Sequence, residues 1–235
     1  MTTFSDVLQR YARAAGVAML LSIVFGSLGE MVLPSRIVVQ GDAAATAANL
    51  LAHPTLLRLS FATYLVEGIC DVALSVLFYL LLRPVNRELA LLSAFFGLAS
   101  MVLYAVAQSF FFASSLAVGP EVGMQAFSGA QRSALAMLSV RTSYSVAGNF
   151  IGLYGIATML RGYLIVRSGY LPKAIGVLLV AGGAGFFLRT ATLLLAPSYS
   201  SPLMLLPMAL GGIPLMLWLL VRGVGPSAPR LRVSA

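Results

Sequence analysis

The stretch LLRLSFATYLVEGICDVALSVLFYLLL, Leu56 to Leu82, decides how the rest of the chain is read. It is mostly apolar, its only charged residues are Arg58, Glu67 and Asp71, and it stops at Arg83 and Pro84. A helix crossing a hydrocarbon core of about 30 Å needs roughly 20 mostly apolar residues, so this run predicts a transmembrane helix. A barrel strand would alternate polar and apolar residues over about 10 positions, and this run does not alternate. Five further runs of the same kind flank it: Ala14 to Leu33, Leu89 to Ser115, Ala134 to Leu160, Leu171 to Ala196 and Leu203 to Val221. Pro34, Pro84, Pro120, Pro172 and Pro202 fall at or beyond their ends, where a missing N–H is tolerated. The expected fold class is therefore all-α, a polytopic transmembrane helical bundle of about six spans.

Composition agrees with the runs. Of 235 residues, 60% are apolar and 9% charged, against roughly 25% charged in soluble domains. Mean hydropathy is +0.95. Water-soluble packing has too few charges here to cover so much apolar surface. One cysteine, Cys70, permits no internal disulfide, and one histidine, His53, leaves little for a zinc site. No metal site and no cofactor are expected.

The formal charge of +8 does not make the chain a nucleic-acid binder. Its basic residues sit at the ends of apolar runs, where topology accounts for them. Ten of them, among them Arg10, Arg13, Arg83, Arg87, Arg161, Arg167, Lys173 and Arg222, collect on the side of the termini, while Arg36, Arg58 and Arg132 lie on the other. That bias predicts both termini in the cytoplasm, in a bacterial inner (plasma) membrane. The first run follows Arg10 and Arg13 as a signal peptide would, but it is longer than a signal core and lacks a small-residue cleavage site, so it reads as a retained helix. Residues 1–222 are expected to form the bundle and 223–235 a disordered cytoplasmic tail.

The connections carry their own signals. In GDAAATAANLLAHP, Gly41 to Pro54, Asp42 is placed to cap a short Ala-rich helix that Pro54 ends, so the first outer loop is expected to be ordered. The loop from Ala117 to Ser133, with Gly119, Pro120, Gly123 and Gly129, reads as irregular. YLLLRPVNRELALL (Tyr79 to Leu92) and YLIVRSGYLPKAIGVLL (Tyr163 to Leu179) echo one another, but any helical hairpin shares that pattern. Gly148 and Gly152 form a GxxxG, and Gly182, Gly183 and Gly185 follow in the next span. These favour close packing inside the bundle over a dimer face, with a homo-oligomer left open.

Several segments carry a family resemblance. Tyr11-Ala12-Arg13 with Ala15-Gly16, then GDAAATAANLL (Gly41 to Leu51), LLRLSF (Leu56 to Phe61), CDVAL (Cys70 to Leu74), LFYLLLRPVNRELALL (Leu77 to Leu92) and GYLIVRSGYLPKAIGVLL (Gly162 to Leu179) occur in order. The chain resembles the bacterial membrane family catalogued as domain of unknown function forty-three eighty-six. The resemblance implies a compact multi-helix integral membrane protein. It implies no activity and assigns no catalytic or cofactor residues. Where the family commonly has Arg in GYLPR, this chain has Lys173.

The informative residues are ionisable groups inside the spans, because a charge at the bilayer centre costs roughly 2.5 to 3.5 kcal/mol even on insertion scales. Glu30, Glu67, Asp71, Arg141 and Arg189 are of this kind, and Gln108 and Asn149 add amides. By helical rise Glu67 lies about 17 Å below the outer end of its span and Asp71 about 6 Å deeper, on one face. The set is expected to form a polar core in the outer half, with the acids Glu30, Glu67 and Asp71 facing Arg141 and Arg189. Two readings stay open: an ion-pair network that fixes helix order, and a pocket for a small solute, lipid or ion.

Catalytic motifs are poor. His53 sits beside Pro54 without a nucleophile motif, Cys70 reads as a small buried residue, and no phosphate-binding loop, dinucleotide fingerprint or zinc-protease motif is present. The reading leans away from an enzyme. A membrane enzyme acting on lipid-like substrates and a scaffold remain as rivals, and the expected partners are the lipid bilayer and a small molecule or ion.

Overall fold

A computed structural model describes residues 4–225. The expected tail of 223–235 therefore lies mostly outside the described residues. These contain seven α-helices and no strand: α1 Phe4–Gly26, α2 Ala43–Ala52, α3 Pro54–Leu82, α4 Arg87–Val118, α5 Gly129–Ser168, α6 Lys173–Leu195 and α7 Leu206–Val221. All but the short α2 belong to segments long and apolar enough to cross a membrane, six in number.

Local chemistry sets the boundaries. The Asp42 side chain accepts the N–H of Ala45 at 2.9 Å and so caps α2. Thr46 Oγ1 bonds the Val39 and Asp42 carbonyls, and Asn49 Nδ2 donates to the Ile37 carbonyl, which orders the first loop as expected. His53 closes α2, its N–H donating to the Asn49 carbonyl, and Pro54 opens α3, where its missing N–H costs nothing. Asn86 caps α4 by accepting the Leu89 N–H at 2.9 Å.

The fourth span departs from expectation. The apolar run predicts Ala134 to Leu160, yet α5 runs over 40 residues, about 60 Å at 1.5 Å per residue. Arg161 does not end it. The apolar pattern resumes after that arginine, and the helix continues through Leu164 and Ile165, both fully buried. The irregular loop shrinks to residues 119–128, where Gly123 takes φ +98° and a single 3-10 turn spans Met124–Ala126.

The chain forms two compact units. Among the described residues one comprises 4–20, Cys70–Met101 and 148–225, the other Leu21–Ile69 and Val102–Ala147. In the first, Leu8, Ala12, Leu81, Leu82, Leu164, Ile165, Leu215 and Leu219 share a core. Its helices approach at glycines. A methyl added at Gly155 would lie 2.5 Å from the Gly183 carbonyl oxygen, one at Gly162 would lie 2.6 Å from the Gly176 carbonyl oxygen, and one at Gly182 would lie 2.6 Å from Met208 Cα. Thr190 Oγ1 donates to the Gly148 carbonyl at 2.7 Å. Gly152, Gly155, Gly162, Gly182 and Gly183 thus serve packing within the chain, whereas an added methyl at Gly148, the first glycine of the GxxxG, meets nothing within 4 Å. In the second unit Ile37, Ala47, Leu50, Leu57, Phe111, Ala117, Val118, Ala136 and Val140 form the core. There the Arg132 side chain caps α4, donating to the carbonyls of Ala117, Val118 and Gly119.

The α5–α6 contact can be tested directly. Gly155→Ala should lower stability by about 1–3 kcal/mol, the usual cost of overpacking. Gly148→Ala, whose added methyl meets nothing within 4 Å, should be neutral or stabilising by up to about 1 kcal/mol. Thermal unfolding of the two purified variants in one detergent is the comparison, and equal losses would contradict this packing.

Candidate functional site

Polar groups inside an apolar bundle need partners from neighbouring helices, since lipid supplies none. In the second unit the residues so gathered are Glu30, Glu67, Tyr104 and Tyr64. Glu67 (α3) is buried at 8% exposure and Tyr104 (α4) at 1%. The Tyr104 hydroxyl donates to Glu67 Oε2 at 2.7 Å, a charge-assisted bond of the stronger kind if the carboxyl is ionised. The Glu30 carboxyl reaches the same hydroxyl.

Glu30 reaches it through an irregular backbone. Where α1 ends at Gly26 the chain continues as a π-helix, Ser27–Val32, and such wide turns are frequent at functional sites. Two glycines on this stretch lie against α3. A methyl at Gly26 would collide with the Glu67 carboxylate, 2.8 Å from its carboxyl carbon, and one at Gly29 would lie 2.6 Å from Thr63 Oγ1. Ser60 Oγ donates to the Gly29 carbonyl at 2.9 Å and locks the π turn to α3. Glu30 itself is exposed while Glu67 is buried, so the pair runs from the surface of this unit inward.

Aromatic rings surround the acids. Tyr64 stands edge-on to Tyr104 with centroids 5.1 Å apart, Phe61 lies 5.5 Å from Tyr64, and Phe112 lies 5.4 Å from Phe61. Rings beside carboxylates offer a positive ligand two kinds of attraction, ionic and cation–π.

The other expected residues are distributed as follows. Asp71, buried at 8% exposure, belongs to the first unit, where its carbonyl accepts Ser75 Oγ at 3.1 Å. Arg189 is half-buried and its Nε has no hydrogen-bond partner. Gln108 is half-buried, and Arg141 and Asn149 are exposed. The structure thus brings Glu30 and Glu67 together on Tyr104.

Two residues escaped the sequence reading. Tyr104 looked like one aromatic among many, although a phenol in mid-span requires an acceptor and so signals a polar contact. The sequence pattern places Arg161 in a cytoplasmic loop. It is instead buried on α5 at 5% exposure, its guanidinium 5.1 Å from the Phe78 ring centre and 5.6 Å from that of Tyr154. A methyl at Gly97 would come within 2.7 Å of both Arg161 Nη2 and Ser75 Oγ, so the bare glycine is what lets the guanidinium lie against α4. The continuation of the apolar run past Arg161 was the available signal.

Fold and polar cluster define a multi-pass, all-helical membrane protein. A family model described as Domain of unknown function (DUF4386) matches residues 14–223, and the chain belongs to that family. The resemblance drawn from the sequence is borne out. An uncharacterized protein of Archaeoglobus fulgidus is similar at 24% identity over 145 residues, 60% of this chain and 74% of that one. No solved structure matches the chain.

Two substitutions probe these clusters. Tyr104→Phe removes the donor from a buried carboxyl and should cost about 1.5–3 kcal/mol. Arg161→Met should cost about 2 kcal/mol through lost cation–π contact, whereas Arg167→Met, at an exposed position of the same helix, should stay within about 0.5 kcal/mol of the parent. Unfolding midpoints in detergent read all three, and an Arg161 variant as stable as the Arg167 variant would return Arg161 to a purely topological role.

Proposed function

We propose that this protein resides in the bacterial inner membrane with both termini in the cytoplasm, and that it binds a small cation or cationic solute at Glu30, Glu67 and Tyr104. The observation that carries this reading is the convergence of two carboxyl groups on one buried phenol. Two ionised carboxylates held together in a low-dielectric region repel, and a positive ligand bound between them offsets that repulsion. The neighbouring rings of Tyr64 and Phe61 favour a ligand whose charge is spread over an organic group. Exposed Glu30 is the entry point and buried Glu67 the end of the path. The charge bias of the loops supports the orientation, which puts the cluster in the outer half of the membrane.

The test is thermal unfolding of the purified protein against sodium, potassium, magnesium, guanidinium and choline. A ligand at 100 times its dissociation constant adds about 2.7 kcal/mol of stability. At least one cation should raise the midpoint of the parent and fail to raise that of Glu67→Gln. If no cation shifts the parent, and Glu67→Gln and Tyr104→Phe merely unfold earlier, the cluster is a structural network and the binding proposal fails.

A further inference from the structure

The first unit ends in a basic surface that the cation-binding proposal does not involve. Its core joins the start of α1, the α3–α4 turn, the α5–α6 turn and the end of α7 through Leu8, Leu82, Ala90, Leu171 and Leu219. These four places therefore share one end of the unit. Each carries exposed basic side chains: Arg10 and Arg13 on α1, Arg83 and Arg87 at the first turn, Arg167 and Lys173 at the second, and Arg222 after α7. Two exposed acids, Asp6 and Glu88, stand among them.

This end is cross-tied. Tyr170 Oη donates to the Leu81 carbonyl at 2.6 Å, joining the two turns, and burial pushes the Tyr170 phenol above its ordinary value, so it stays a donor at neutral pH. The Gly225 N–H donates to the Tyr170 carbonyl at 2.8 Å. Gln9 Nε2 donates to the Arg222 carbonyl and Gln9 Oε1 accepts the Val224 N–H, fastening α1 to the end of α7. The Arg222 guanidinium lies 5.0 Å from the Trp218 ring centre. The basic groups are thus mounted on a fixed frame.

We propose that this end is a docking surface for the headgroups of anionic phospholipids. Guanidinium groups match phosphate oxygens in a two-point fork that ammonium groups lack, and six of the seven bases are arginines. Trp218 beside Arg222 and Tyr79 beside the first turn supply amphipathic rings of the kind that settle at headgroup level. Topology alone needs only the sum of these charges. A docking surface also needs them gathered and held, which the ties across Tyr170 and Gln9 provide.

The full chain, purified in dodecyl maltoside, is titrated with phosphatidylglycerol, with phosphatidylcholine of the same acyl chains, and with inorganic phosphate, and retained lipid is counted by native mass spectrometry. Phosphatidylglycerol should be held more tightly than phosphatidylcholine. Each neutralised base should weaken its retention by about fivefold, so Arg83→Gln/Arg87→Gln should lose it by roughly 25-fold without altering phosphatidylcholine. Equal retention of the two lipids, an unchanged double variant, or full competition by inorganic phosphate would overturn the proposal. If the double variant does not fold, the parent decides: its preference must collapse between about 0.05 and 0.5 M salt, because exposed charges are screened within about 10 Å at 0.1 M. Persistence at high salt counts against it.

Discussion

A polar side chain inside a membrane bundle has only other protein groups to turn to, and this chain's architecture follows from how each is met. Helical backbone satisfies itself, so the burden falls on side chains. Most hydroxyls are met locally. Ser100, Ser114 and Thr158 donate to carbonyls three or four residues earlier on their own helices, which lets them face apolar neighbours at little cost. A few instead reach another helix: Ser93 to the Ala157 carbonyl, Thr190 to the Gly148 carbonyl and Ser60 to the Gly29 carbonyl. These are the polar ties between spans.

Buried charges follow a different rule. Of the three buried among the described residues, two lie against a glycine within their own unit, Glu67 against Gly26 and Arg161 against Gly97. The missing side chain brings a backbone close enough to exclude lipid and makes room for a carboxylate or guanidinium. Glycine here is the means of admitting charge. It has a second use where no charge is present, as at Gly155 and Gly183, where two backbones approach for packing alone. Glu30 adds a further element, since it is carried by a π turn rather than a regular helix. Such a turn holds an extra residue and changes the direction in which the following side chains point. The Ser60 bond to Gly29 fixes that change.

Much of the fold was legible because its signals are local. Apolar run length gave six spans, and the oxygen of Asp42 with the ring of Pro54 marked α2 without any tertiary information. Arg161 resists a sequence reading for a related reason: a charge inside a long run resembles a boundary, and burial is made tolerable by Phe78 and Gly97, distant in sequence, together with Tyr154 two turns earlier on α5. Tyr104 was missed because tyrosine is common in membrane helices, and its importance comes from Glu67 on another helix. Glu30 and Glu67 were recognisable as costly residues. Their common partner was not, since partner choice depends on helix rotation, and the π turn alters rotation in a way no apolar periodicity records.

The same corrections bear on orientation. Removing Arg161 from the loops lowers the basic count on the side of the termini from ten to nine and leaves the bias intact. Arg132, counted against that bias, is held on the last carbonyls of α4 through Ala117, Val118 and Gly119, where the negative end of the helix dipole attracts a cation. Its presence there has a local cause. Arg36 and Arg58 remain as the exposed bases of that side, while those on the side of the termini, with Arg161 set apart, are exposed wherever they are described. Sorting arginines by what they touch therefore sharpens the asymmetry that counting them first suggested.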